Sequence, residues 1–162
     1  MIAGRGVKLI AASFAAAFIL STLPLPDWAT EWRPAWVPMV LIYWCINQPQ
    51  SVGVFVGLVV GLLLDALTGS LLGQHAAALS VAAAATVKAQ ARLRRFPLWI
   101  QAGVVFAVVF LYQILTSWIR AVVGMAPRGD LMWKSAASSM VLWPWLAVVL
   151  RDLSTRKESD RD

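Results

Sequence analysis

Gly53, Gly57 and Gly61 recur every fourth residue, and the same step leads on to Asp65, Gly69 and Gly73. On a helix of 3.6 residues per turn each such step turns by about 40°, so Gly53 through Asp65 form a stripe confined to about a third of the circumference. One face of the helix is thus bare backbone that ends in a carboxylate. Bare backbone admits a second helix at close range, and a carboxylate amid hydrocarbon belongs against protein or water rather than lipid. Two readings of Gly53, Gly57 and Gly61 follow: close packing within the chain, or a docking face for a partner helix.

Asp65 is the lone charge of a long apolar stretch, and the whole chain shares that character. Of its 162 residues 60% are hydrophobic and 14% charged, and the mean hydropathy is +0.72. One soluble core could not hide that much apolar surface, which points to an all-α polytopic membrane protein. At about 20 residues per crossing the length allows about six. The expected spans are 7–23, 35–47, 51–67, 74–87, 98–123 and 131–150, within a single domain over 1–150. Residues 151–162 carry mixed charge and are expected to fray as a cytoplasmic tail. The second span is short, with Arg33 and Pro34 at its mouth, the fourth is rich in alanine, and the fifth is the plainest. A basic, apolar N-terminus has a signal-peptide look, but the apolar run continues to Pro24 and Pro26, so it reads as a retained span.

Basic residues set the expected orientation. With both termini inside, ten of the 14 Lys and Arg lie on the cytoplasmic side, and Arg33, Arg120, Arg128 and Lys134 lie outside. Trp28, Trp32, Trp36, Trp118 and Trp133 then mark the outer boundary as an aromatic belt. The net charge of +6 does not indicate nucleic acid, because the cations cluster at membrane ends and the aromatic residues lie within spans. The basic stretch from Lys88 to Arg95 reads as a positive-inside anchor that also attracts anionic lipid or an acidic partner.

Asp65 falls about 13 residues into its span, about 20 Å from the cytoplasmic side. It can cap a broken helix, or pair with Arg33, Arg120 or Lys134. A proton relay needs a chain of ionisable groups, which the spans lack, and a partner contact stays open. The specific expectation is that Asp65 steadies the turn from Leu67 to Gly73 and pairs with Arg33. Thr68, Gly69, Ser70 and Gly73 suit a tight reversal, with glycine free to take positive φ and hydroxyls able to cap backbone. His75 is the sole histidine and reads as a capping or interfacial residue, not a metal ligand. Trp143, Pro144 and Trp145 set two indoles about a proline, either a kinked, interface-anchored helix or an aromatic platform. Lone Cys45 allows no internal disulfide. No catalytic, cofactor or metal motif is found: the chain has no Gly-x-Ser-x-Gly, no phosphate loop, no metal-spaced His/Cys set and no paired carboxylates in spans.

Arg33-Pro34-Ala35-Trp36 before Leu41-Ile42-Tyr43-Trp44, then Gly61 to Asp65, Gly69-Ser70, Leu72-Gly73 and Leu142-Trp143-Pro144-Trp145 together resemble the rod shape-determining MreD family, particularly its proteobacterial form. The resemblance covers nearly the whole chain, and the Asp-then-Gly-Ser corner with Leu-Trp-Pro-Trp is its most specific part. Many members carry an acidic residue where this chain has Ala35, so no role for a carboxylate there transfers. The resemblance implies a non-enzymatic subunit of the cell-elongation machinery in the bacterial inner membrane. It would bind the membrane-anchored periplasmic protein MreC, and through it work with MreB, RodA and its penicillin-binding transpeptidase to place lateral peptidoglycan synthesis. It also implies a six-helix fold similar to the substrate-binding subunits of energy-coupling-factor transporters, from which function does not follow. The runner-up is a small-molecule-binding membrane protein of that transporter-subunit kind. It would need several convergent polar groups, and the outer loops offer few beyond Asp27, Glu31, Arg33, Arg128 and Asp130.

Overall fold

The computed structural model describes residues 3–126, 129 and 132–159; Arg128 and Asp130, expected on the outer side, lie outside the described residues. Every regular element among the described residues is helical: α1 (Ala3–Thr22), α2 (Asp27–Thr30), α3 (Trp36–Asn47), α4 (Val54–Thr68), α5 (Gln74–Leu93), α6 (Leu98–Val122) and α7 (Met132–Ser159). The six longer helices sit at the six positions expected for spans. Two of them, α6 and α7, are long and apolar enough to cross a membrane by length and composition, while α1, α3 and α4 are apolar but shorter. The exterior is greasy: Ile19, Phe55, Leu63, Trp99, Val122 and Val141 are all exposed, a surface suited to lipid rather than water.

The two largest differences from the expected boundaries are at the ends of α5 and α7. α5 runs to Leu93 rather than Val87, because Lys88 and Arg92 mark where apolar character ends, whereas backbone hydrogen bonding continues through good helix formers. α7 likewise runs past Leu150 to Ser159, so the segment expected to fray is helical up to that residue. The helix is also continuous through Pro144, where the ring removes one backbone donor.

The core is organised around α3. Residues Val37 through Ile46 are buried without a break, as befits a helix that is apolar on every side. It is flanked by α1, α5, α6 and α7. Pro38 falls in its first turn, where backbone N–H groups have no intrahelical acceptor to lose. Trp44 Nε1 donates to Ser13 Oγ on α1 at 2.8 Å, and Ala35 N–H donates to Ser139 Oγ on α7 at 3.0 Å. Polar side chains thus tie the central helix to its neighbours at points where apolar contact alone fixes no register.

The glycine stripe packs inside the chain, against α5. A Cβ at Gly61 would lie 2.3 Å from Ala76 Cα and 2.5 Å from its nitrogen, and one at Gly57 would lie 2.9 Å from the Leu79 carbonyl oxygen. Facing them are Ala76, Leu79 and Ala83, so α4 and α5 meet backbone to backbone through small residues. Gly53 is different: it is the extended residue ahead of α4, and a Cβ there would meet only the Pro49 carbonyl oxygen, at 3.9 Å.

Since the atoms in the way at Gly61 are backbone, Gly61→Ala is expected to cost about 1–3 kcal/mol through overpacking. Gly103→Ala, on α6 with nothing within 4 Å, is expected to be neutral or better. Thermal unfolding of both variants in detergent, followed by circular dichroism, checks the contrast; equal midpoints would mean the α4–α5 approach is looser than described.

Candidate functional site

α4 ends at a corner built from one residue. Gly69 takes φ +63°, and Ser70 N–H reaches back to the Asp65 carbonyl at 3.2 Å, the bond of a Schellman turn. Gly73, at φ +98°, opens α5 and has no side chain with which to cap it. The Asp65 carboxylate supplies that cap from the preceding helix. Oδ2 accepts from Gly73 N–H at 2.8 Å and Ala76 N–H at 3.4 Å, while Oδ1 accepts from His75 N–H at 3.0 Å and Ser70 Oγ at 2.8 Å. The three N–H groups are donors at the start of α5, which otherwise have no partner, and the helix dipole adds to the attraction for an anion there. Asp65 is 1% exposed, a burial tolerable for a carboxylate because its oxygens are so fully engaged.

The expected pairing of Asp65 with Arg33 does not occur. Arg33 instead donates through Nη1 to Ser21 O at 2.6 Å and through Nη2 to Leu23 O, closing the C-terminal end of α1, where carbonyls lack intrahelical donors. Lys134 pairs with Glu31. The cationic candidate beside Asp65 is His75, whose Nδ1 lies 3.1 Å from Oδ1 without the alignment of a hydrogen bond. Its ring meets Tyr112 edge-on at 5.9 Å. His75 therefore belongs to the corner, with its backbone capped and its ring wedged between Asp65 and α6.

A cavity of about 270 Å³ opens at the same end of the bundle. Arg33, Pro34 and Trp36 line it, together with Leu64 and Thr68 from α4 and Gln74 and His75 from α5. The segment between α1 and α3 contributes Thr30, Glu31 and Arg33, and the largest polar share comes from α6, through Tyr112, Gln113, Thr116, Ser117 and Arg120. Those residues fall at i, i+1, i+4, i+5 and i+8, one face of a helix. That spacing was the available signal for them, inside the span that reads as plainest.

Trp143, Pro144 and Trp145 stand apart from this cavity. Trp143 is buried at 1% exposure while Trp145 is 58% exposed, so the indoles point to different environments and form no shared platform. Trp143 packs on Tyr43 at 6.5 Å, which in turn meets Trp44 edge-on at 5.2 Å. A third cap sits at the end of α3: Arg94 donates through Nε to Ile46 O at 2.5 Å and through Nη2 to Asn47 O. Arg94 thus holds the end of α3, beyond the anchoring role read for its basic stretch.

Capped corners, small-residue contacts and a lipid-suited exterior define a helical membrane protein whose conspicuous polar groups hold structure. Among the described residues no three His, Cys, Asp or Glu side chains gather as a metal site. The family profile described as rod shape-determining protein MreD matches residues 5–153. The chain is also 31% identical over 143 residues, 86% of each chain, to the rod shape-determining protein MreD of Haemophilus influenzae. It therefore belongs to the MreD family, and its role lies in determining rod shape. No solved structure matches it.

Asp65→Ala is expected to destabilise the protein by at least about 3 kcal/mol, the worth of roughly two hydrogen bonds to a charged group. Hydrogen exchange should show the loss of protection concentrated at residues 73–76. Exchanging the charges, Asp65→Arg with Arg33→Asp, is expected to rescue neither single variant, because the two side chains serve different helix ends; restored stability in the double variant would contradict the caps described here.

Proposed function

We propose that this protein is a non-enzymatic scaffold of the cell-elongation complex. In this reading its helices make six crossings of the inner membrane with both termini in the cytoplasm. It binds MreC and, through that contact, works with MreB, RodA and its penicillin-binding transpeptidase to place lateral peptidoglycan synthesis. The observation that carries this reading is the family relation, which extends over nearly the whole chain. The packing supports it in one respect. With Gly57 and Gly61 occupied by α5, a partner helix would meet the other side of α4, where Phe55, Leu58, Val59, Leu62 and Leu63 are exposed. The alternative, a small-molecule-binding protein of the transporter-subunit kind, draws support from the polar cavity.

Purification from native membranes separates the two readings. Co-purified MreC without a stoichiometric metabolite supports the scaffold, and a stoichiometric small ligand without MreC overturns it. Single cysteines locate the contact, in a background where buried Cys45 is replaced. Crosslinks to MreC are expected from positions 55, 58 and 62 and not from buried Val60 or Leu64. Co-purification with silence at all three exposed positions would move the interface off α4 and leave the scaffold standing.

A further inference from the structure

Six buried side-chain nitrogen or oxygen atoms among the described residues have no hydrogen-bond partner, on Arg33, Gln74, His75, Ser117, Arg120 and Trp143. All of them except the Trp143 indole belong to side chains lining the cavity described above. Such atoms are costly and rare in folded proteins, so their convergence marks a place where a further group is to be held. Gln74 and Ser117 are 3% and 6% exposed and cannot turn away to bulk water.

The charge of the cavity specifies what that group is. Its acidic lining residue, Glu31, is paired with Lys134, and Asp65, beyond His75, is engaged by the α5 cap. Two guanidiniums are left. Arg33 spends Nη1 and Nη2 on α1 carbonyls and keeps Nε free of protein partners, and Arg120 likewise has an unpartnered Nε. A guanidinium N–H so placed makes a short, charge-assisted hydrogen bond to carboxylate or phosphate oxygen. Size sets a second limit, because about 270 Å³ falls just short of the range of drug-sized sites and suits a headgroup but no acyl chain. Around the same end Trp28, Trp32, Trp118 and Trp133 are exposed, and Trp32 meets Trp133 edge-on at 5.7 Å. Exposed indoles of this kind sit at the level of lipid headgroups.

We propose that this cavity is a binding site for a phosphate group, borne on the headgroup of an acidic lipid or free, held by Arg33 and Arg120 with the Ser117 hydroxyl. The proposal is independent of the scaffold reading, since its test needs neither MreC nor any assembly. Bound there, a phosphate would join the end of α6 to the end of α1 through one anion.

The full-length protein in a neutral detergent is titrated with dihexanoyl phosphatidylglycerol, dihexanoyl phosphatidylcholine or inorganic phosphate while its melting temperature is followed. A ligand that binds the folded state raises that temperature saturably. The expected result is a saturable rise with phosphatidylglycerol that exceeds the rise with phosphatidylcholine. A similar rise with inorganic phosphate assigns the site to the phosphate itself, and no rise with phosphate assigns it to the lipid-borne form. A rise with inorganic phosphate alone leaves the anion site intact and makes its ligand soluble. Arg120→Gln is expected to weaken binding at least about tenfold, the loss of one charge-assisted hydrogen bond, with Arg120→Lys in between. Arg33 is not the variant of choice because it also caps α1; Ser117→Ala gives the second reading should Arg120→Gln fail to fold. Absence of any saturable rise, equal rises with the two lipids, or binding undiminished in the folded variants would overturn the proposal.

Discussion

The Asp65 carboxylate is the interaction on which the rest of this structure hangs. It sits on α4 yet satisfies the backbone of α5, so the two helices are joined where they reverse direction. Without it the first turn of α5 would bury N–H groups in an apolar surround, and the small-residue contact below would have no fixed register. Placement decides the sign of its effect. An unpaired carboxylate at that depth would be strongly unfavourable, whereas one surrounded by backbone donors at a helix N-terminus is stabilising.

The same logic recurs with opposite charge at two other helix ends. Arg33 closes the C-terminal carbonyls of α1, and Arg94 closes those of α3 at the other end of the core. Carboxylate to N-terminus and guanidinium to C-terminus is the pairing that the peptide dipoles favour. In each case the charge comes from a different element than the helix it caps, so these bonds specify tertiary arrangement as well as helix length. Polar groups therefore serve here as joints, and dispersion between small side chains fills the distance between joints.

Periodicity and punctuation were enough to locate the six longer helices, though not the single turn of α2, because a run from Leu98 or a break at Gly69 is a local property of the chain. The corner was readable for the same reason: Asp65, Gly69, Ser70 and Gly73 are close in sequence, and their side chains have few other uses. What Arg33 does was not readable, since charge complementarity with Asp65 competes against two carbonyls exposed by the end of α1, and only the fold decides which is nearer. The cavity escaped notice for a related reason. Its polar groups are spread through α6 at helical spacing and dispersed among Val, Phe and Leu, so average hydropathy hides them. α3 is short for a bilayer crossing, yet its surroundings are protein on every side, which length alone does not reveal.

That burial sets α3 apart from its neighbours in mechanical terms. At 12 residues it is about 18 Å long, well short of a hydrocarbon core of about 30 Å. Lipid does not reach it, so the thickness of the membrane places no direct load on it. α6 and α7, in contrast, are long and apolar enough to cross a membrane and carry exposed apolar surface. The core helix is thus a spacer enclosed in protein, and the distance from its start to its Arg94-capped end is set by side-chain packing rather than by lipid.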